Sequence, residues 1–216
     1  ALVLLVVTGI CAIVLVAAPR SIEAEIPRDK QYLFYAAYLL CMAGLAGMTI
    51  TGDAFNIFVF LEISSLSSYA LISQGRTRRA LTSAIQDLLM GTIGGTFILL
   101  GIGMLYMMTG TLNIVDLANQ LALVGPNRTV MVAAACIAVG TGIKLAVFPL
   151  HIWLPNAYTY APAVVTAFLA ATATKVAYYV LVRFAYSVFQ LNLTFETQRY
   201  DAVTMALGIA AMFAGS

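Results

Sequence analysis

Four residues have the types and spacing for proton chemistry in an apolar setting: Glu62, Lys144, His151 and Lys175. Lys144 lies in an apolar run, Val130 to Val147, that ends in Phe148-Pro149-Leu150-His151-Ile152-Trp153-Leu154-Pro155. A charge, a helix break and the only histidine of the chain thus share one segment. Pro149 has no amide hydrogen, so the Leu145 carbonyl should lose its helical partner, and the proline ring clashes with that turn. The helix is expected to break there. In hydrocarbon an orphaned carbonyl is costly, so a broken helix at membrane depth usually lines a wet cavity. Water beside a buried lysine suggests proton or ion traffic.

Depth along the helices sharpens this reading. At about 1.5 Å per residue, Glu62 lies ~12 Å from the start of its helix, and Lys144 and Lys175 each ~20 Å into theirs. All three fall near the bilayer midplane, where an unpaired charge costs from about 3 to more than 10 kcal/mol. They are expected to face one another or water. A Glu-Lys pair about 4 Å apart gains on the order of 4 kcal/mol at an effective dielectric near 20, comparable with the desolvation both groups suffer. One added proton makes or breaks such a pair. Glu62 and Lys144 therefore read as a switch, Lys175 as the next acceptor through water, and His151 as a relay or a gate at the break. The plainer alternative is a structural ion pair, with His151 only bonding a carbonyl freed by Pro149.

The elements that must position these residues follow from composition. Of 216 residues, 62% are hydrophobic and 9% charged, with a mean hydropathy of +0.96; soluble domains carry about 25% charged residues. The expected fold is an all-α polytopic transmembrane bundle of six full spans plus a truncated seventh. The spans are Ala1 to about Ala18, Tyr32 to Thr51, Ala54 to Ser73, Leu81 to Met108, the broken Val130 to Ala157, and Pro162 to Phe189, with Asp201 opening the seventh. Because it starts and stops inside hydrophobic runs, the chain reads as a fragment. Ser64, Ser65, Ser67 and Ser68 make the third span too polar to face lipid. Gly44 and Gly47, and Gly91 and Gly95, offer close-packing faces. Asn113 is placed to cap a short interfacial helix with Ile114, Leu117 and Leu121 on one face. Ser21 to Lys30 reads as a solvated connector.

Arg76, Arg78 and Arg79 share one short loop, which the positive-inside rule places in the cytoplasm. Two crossings separate it from the loop with Arg20, Arg28 and Lys30, which then lies on the same side. Other chemistries lack their residues. No phosphate loop or nucleophile triad is present, and a lone histidine without nearby Cys or Glu is no metal site. Neither cofactor nor metal is expected, and any electron transfer belongs to partner subunits. Cys11, Cys41 and Cys136 sit in apolar stretches and behave as small hydrophobes. A charge of +2 spread over loops and single helix positions gives no nucleic-acid surface.

Two motifs carry a family resemblance. Gly52-Asp53-x-Phe55-Asn56-x-Phe58-Val59-Phe60-x-Glu62-Ile63-Ser64-Ser65-Leu66-x-Ser68-Tyr69-Ala70-Leu71 resembles the glutamate helix of the antiporter-like subunits of respiratory complex I, Mrp-type cation/proton antiporters and membrane-bound hydrogenases. Lys144-x-Ala146-x-Phe148-Pro149-Leu150-His151-x-Trp153-Leu154-Pro155-x-Ala157-Tyr158 resembles the broken lysine helix of that family, and Thr109-Gly110-Thr111-Leu112-Asn113 its loop. The pattern continues through Ala161-Pro162 to Lys175 and covers nearly the whole chain. The resemblance implies that Glu62 and Lys144 form the switching pair and that Lys175 sits on a central hydrophilic axis. It also implies a five-helix repeat followed by an inverted copy. On that basis residues 1–31 are a leading helix and loop, 32–189 the ion-translocation repeat, and 190–216 the start of a truncated second repeat. The wording Glu62-Ile-Ser-Ser-Leu leans toward the Mrp D-subunit or hydrogenase branch. Asp87 departs from the uncharged or aromatic residue expected at its place in the fourth helix, and reads as a water-facing or arginine-paired group.

The function expected from this reading is proton translocation, with sodium as a candidate counter-ion, by a subunit of a multi-subunit complex in the bacterial inner membrane. The partners are other membrane subunits, lipid and protons. The alternatives are a proton-pumping membrane subunit of an NADH-quinone oxidoreductase, and a non-transporting scaffold whose charges lock helices while Gly91 and Gly95 dock partners. Transport requires the charges to share a polar path; a scaffold would isolate each one.

Overall fold

The computed structural model describes residues 1–125, 127–189 and 208–212. The seventh span, with Arg199 and Asp201, lies outside the described residues, except for the helical turn at 208–212. Nine α-helices follow in order among the described residues: α1 Leu2–Ala17, α2 Pro19–Glu25, α3 Gln31–Ile50, α4 Ala54–Ser73, α5 Arg78–Thr109, α6 Ile114–Val124, α7 Arg128–Leu145, α8 Trp153–Tyr160 and α9 Ala163–Arg183. A π-helical turn, Phe184–Val188, prolongs α9. Five helices are long and apolar enough to cross a membrane, and α1 with α2 makes a sixth if taken as one span bent by 63°. The bend falls where Pro19 opens α2, since proline fits only the first turn of a helix. With 32 residues, α5 is ~48 Å long and exceeds a hydrocarbon layer of about 30 Å, so it must tilt or protrude.

Side-chain caps set several helix starts. The Asp53 carboxylate accepts the Asn56 amide at 2.8 Å to open α4, and Asn113 accepts the Val115 amide at 3.0 Å to open α6; each such cap is worth about 1 kcal/mol. These two caps meet. Ala54 donates to the Leu112 carbonyl at 2.8 Å and Ile114 to the Gly52 carbonyl at 2.9 Å, joining both loops at one end of the bundle. Ile114, Leu117 and Leu121 of α6 are buried against the bundle, not turned toward lipid.

At the other end the segment after α1 is structured, contrary to the solvated connector expected. Glu25 reaches across to accept the Ala163 amide at 2.8 Å, capping α9, while Arg76 donates to the carbonyls of Ala24 and Glu25. Arg79 donates to the Tyr160 hydroxyl at 3.2 Å. The Arg20–Lys30, Arg76–Arg79 and Tyr160–Pro162 segments therefore share one end, as an even number of crossings requires. The carboxylate at the α9 start also complements its positive dipole.

Small residues bring the central helices close. A Cβ at Gly44 of α3 would sit 2.7 Å from the Ser64 amide nitrogen of α4, and one at Gly94 of α5 would sit 3.1 Å from the Gly140 carbonyl oxygen of α7. The core that results runs through Phe34, Tyr38, Ile57, Ile98, Leu105 and Phe168, each at most 1% exposed.

Candidate functional site

The site forms where the C-terminal end of α7 meets the middle of α4 and α5. Lys144 lies one residue before the end of α7, and its ammonium donates to the Ser65 hydroxyl at 2.6 Å and the Tyr69 hydroxyl at 3.3 Å, both on α4. The Glu62 carboxylate stands 4.0 Å away. Ser65 and Tyr69 follow Glu62 by about one and two turns, so helical periodicity puts all three on one face of α4. No hydrogen-bond donor among the described residues reaches the buried Glu62 Oε1. Its partner is the ammonium, in a Coulombic contact worth on the order of 4 kcal/mol at an effective dielectric near 20.

The Gly91 and Gly95 pair makes this arrangement possible. Both are buried in α5, so they are not a free face for docking partners. A Cβ at Gly95 would collide with Glu62 Oε1; one at Gly91 would collide with the Tyr69 hydroxyl and lie 3.1 Å from the Lys144 nitrogen. Glycine here leaves space for charged and hydroxyl groups in addition to helix packing.

The helix break differs from the one expected at Pro149. The α7 helix ends at Leu145, with Ala146 left-handed at φ 53° and ψ 45°. Ala146 donates to the Ile143 carbonyl at 3.1 Å and Val147 to the Gly142 carbonyl at 3.0 Å, the doubly bonded closure usually built on glycine. Trp153 completes it, its indole N–H donating to the Ile143 carbonyl at 3.0 Å. Two of the carbonyls freed by the break, those of Gly142 and Ile143, are thus bonded by this turn and an indole, not by His151. Among the described residues no hydrogen-bond partner reaches the buried His151 Nδ1, and the ring lies 5.6 Å from that of Phe148.

Beside Lys144 is a cavity of about 60 Å³ whose wall is mostly apolar but includes Ser64, Ser65, Ser68, Tyr69, Asp87, Lys144, Tyr158 and Thr174. A water needs about 10–15 Å³ on this measure, so several fit among these hydroxyls. Lys175 is exposed and not in the cluster, but its ammonium donates to the Thr174 hydroxyl at 3.3 Å and to the Ala170 carbonyl. Thr174 therefore stands between the cavity and Lys175. Asp87, expected to face water or pair with arginine, is instead 5% exposed and lines the Lys144 cavity. Trp153 and Tyr69 were the other site residues that sequence reasoning passed over. The one available signal was helical register: Tyr69 lies seven residues after Glu62, two turns along the same face.

The comparisons with known proteins agree with this architecture. Residues 51–216 match the family described as NADH:quinone oxidoreductase/Mrp antiporter, TM. The chain is 50% identical over 187 residues to NADH-quinone oxidoreductase subunit N of Desulforudis audaxviator, covering 87% of this chain and 36% of that protein. It is 31% identical over 192 residues to the D subunit of a Na(+)/H(+) antiporter from Bacillus subtilis, covering 88% and 39%. Among solved structures it is similar to a chain of the membrane-bound sulfane sulfur reductase, an archaeal respiratory membrane complex. The TM-score there is 0.81 at 31% identity, covering 94% of this chain and 39% of that one. The chain thus spans less than two fifths of the length of these relatives. The higher identity falls on the quinone-linked relative, whereas the wording of the glutamate helix leaned toward Mrp. This all-α integral membrane chain belongs to the NADH:quinone oxidoreductase/Mrp antiporter transmembrane family.

Proposed function

We propose that the chain forms the first ion-translocation repeat, residues 32–189, of an antiporter-like subunit in a multi-subunit complex, and that it moves protons through Glu62, Lys144 and Lys175. The observation that carries this is the Lys144 ammonium, held by two hydroxyls and 4.0 Å from Glu62 at the wall of a cavity that combines apolar side chains with several hydroxyls. A proton on Glu62 removes the Coulombic hold on the ammonium. A proton leaving Lys144 passes through cavity water and the Thr174 hydroxyl to Lys175. His151, at the break, gates access to that cavity. The Arg76–Arg79 end faces the cytoplasm of a bacterial inner membrane, residues 1–31 lead into the repeat, and residues 190–216 begin the second.

Lys144 opens on a cavity that extends to the Thr174 hydroxyl bonded by Lys175, which favours transport over a scaffold, in which each charge would have its own closed contact. A second reading, a proton-pumping membrane subunit of an NADH-quinone oxidoreductase, is favoured by the 50% identity to subunit N. Proton flux in proteoliposomes carrying the full-length protein in its complex separates the readings, with wild type compared with Lys144→Ala and sodium present or absent. Loss of a sodium-dependent flux in the variant supports an antiporter, and loss of a sodium-independent flux a redox-driven pump. Unchanged flux in an intact complex would make Lys144 structural and end the transport reading.

A further inference from the structure

Asp87 is a buried carboxylate that the pathway above leaves without a task. Its place relative to the Glu62–Lys144 pair is set by α5. Glu62 Oε1 abuts Gly95, the Lys144 ammonium lies beside Gly91, and Asp87 comes next at the same interval. Positions 95, 91 and 87 share one helix face, each about 6 Å beyond the last. A negative, a positive and a negative side chain therefore succeed one another along this face, Asp87 being nearest the Arg76–Arg79 end. Asp87 and Lys144 line the same cavity. Among the described residues the only ion pair within 4.0 Å is Lys144–Glu62, so Asp87 is not tied to an arginine.

We propose that Asp87 is a second carboxylate station for Lys144, the ammonium exchanging through the cavity between Glu62 and Asp87 as protons pass. This rests on the transport reading above. With Asp87 ionised, the ammonium is drawn toward it. A proton arriving at Asp87 forms an O–H bond and neutralises that station, so the ammonium returns to Glu62. Once Lys144 has given its proton to the cavity, the neutral amine takes the proton of Asp87. The O–H bond breaks, an N–H bond forms and the carboxylate is restored. The titratable groups that line the cavity with Asp87 are Lys144 on α7, Tyr69 on α4, Cys41 on α3 and Tyr158 on α8, while α9 adds the Thr174 hydroxyl and Glu62 lies beyond Lys144 against Gly95.

The test measures proton flux between about pH 6 and pH 9 for Asp87→Asn and Asp87→Glu in the full-length protein within its complex, with Lys144→Ala as reference. The expected result for Asp87→Asn is at least a ~10-fold loss and an alkaline limb moved about one unit lower, because one negative charge fewer holds the ammonium. Asp87→Glu should recover most of the flux. An assembled Asp87→Asn with the wild-type pH profile, or lost flux that Asp87→Glu does not recover, would overturn the proposal while Lys144→Ala remains inactive. If Asp87→Asn fails to assemble, Asp87→Ser decides: an alkaline limb moved lower supports the station and an unmoved one refutes it. Flux retained by Lys144→Ala would instead sink the transport reading itself.

Discussion

Replacing Gly95 with alanine places one methyl group where the Glu62 carboxylate now lies. The carboxylate must retreat by about 1 Å to reach ordinary contact, which lengthens its 4.0 Å approach to Lys144 to roughly 5 Å. At an effective dielectric near 20, the attraction falls from about 4.2 to about 3.3 kcal/mol. That is a factor of about four in the equilibrium of the pair, and repacking of Phe58, 3.7 Å from the new methyl, adds to the cost. Proton flux should drop four- to tenfold, to order of magnitude, at unchanged assembly. Gly103→Ala on the same helix is the control, since nothing lies within 4 Å of its Cβ position. It should match wild type or gain up to about 1 kcal/mol of helix stability. Equal flux in Gly95→Ala and Gly103→Ala would refute the claim that Gly95 makes room for the charge.

Three further changes probe the site. Ser65→Ala removes the nearest acceptor of the Lys144 ammonium; a hydrogen bond to a charge is worth about 1.5–3 kcal/mol, so flux should fall at least ~10-fold, and wild-type flux would show the bond to be dispensable. Trp153→Phe keeps the ring but strips the indole donor from Ile143, which should cost about 1–2 kcal/mol and lower the thermal midpoint in detergent. A loss confined to Trp153→Ala would assign that role to packing instead. Ala146→Gly relieves a left-handed alanine. Strain relief of about 1–2 kcal/mol exceeds the ~0.5–1 kcal/mol entropic cost of glycine, so the midpoint should rise by about 2 °C; a fall would mean the turn is held without strain.

The spans were legible because apolar length and loop charge are local properties, and the cap at Asn113 because capping needs only one side chain and the next turn. Glu62 and Lys144 stood out because charge in hydrocarbon is costly, and the structure brings them to 4.0 Å. Three features depended on geometry that the sequence does not carry. The break was expected at Pro149 from its missing amide, but backbone reversal at Ala146 came first, stabilised by an indole ten residues from the carbonyl it bonds. Gly91 and Gly95 fit a general packing motif, and only the side chains of α4 and α7 revealed what they accommodate. Asp87 was read from its own helix, whereas its cavity is walled by five others.

The central claim is that Glu62 and Lys144 act as one switch, and a double-mutant cycle on proton flux tests it most directly. Glu62→Gln, Lys144→Met and the double variant are compared in proteoliposomes carrying the assembled full-length complex. If the pair acts as a unit, either single change removes nearly all flux, and the double variant is no worse than the poorer single one. Additive losses, or near-normal flux in either single variant, would contradict the account.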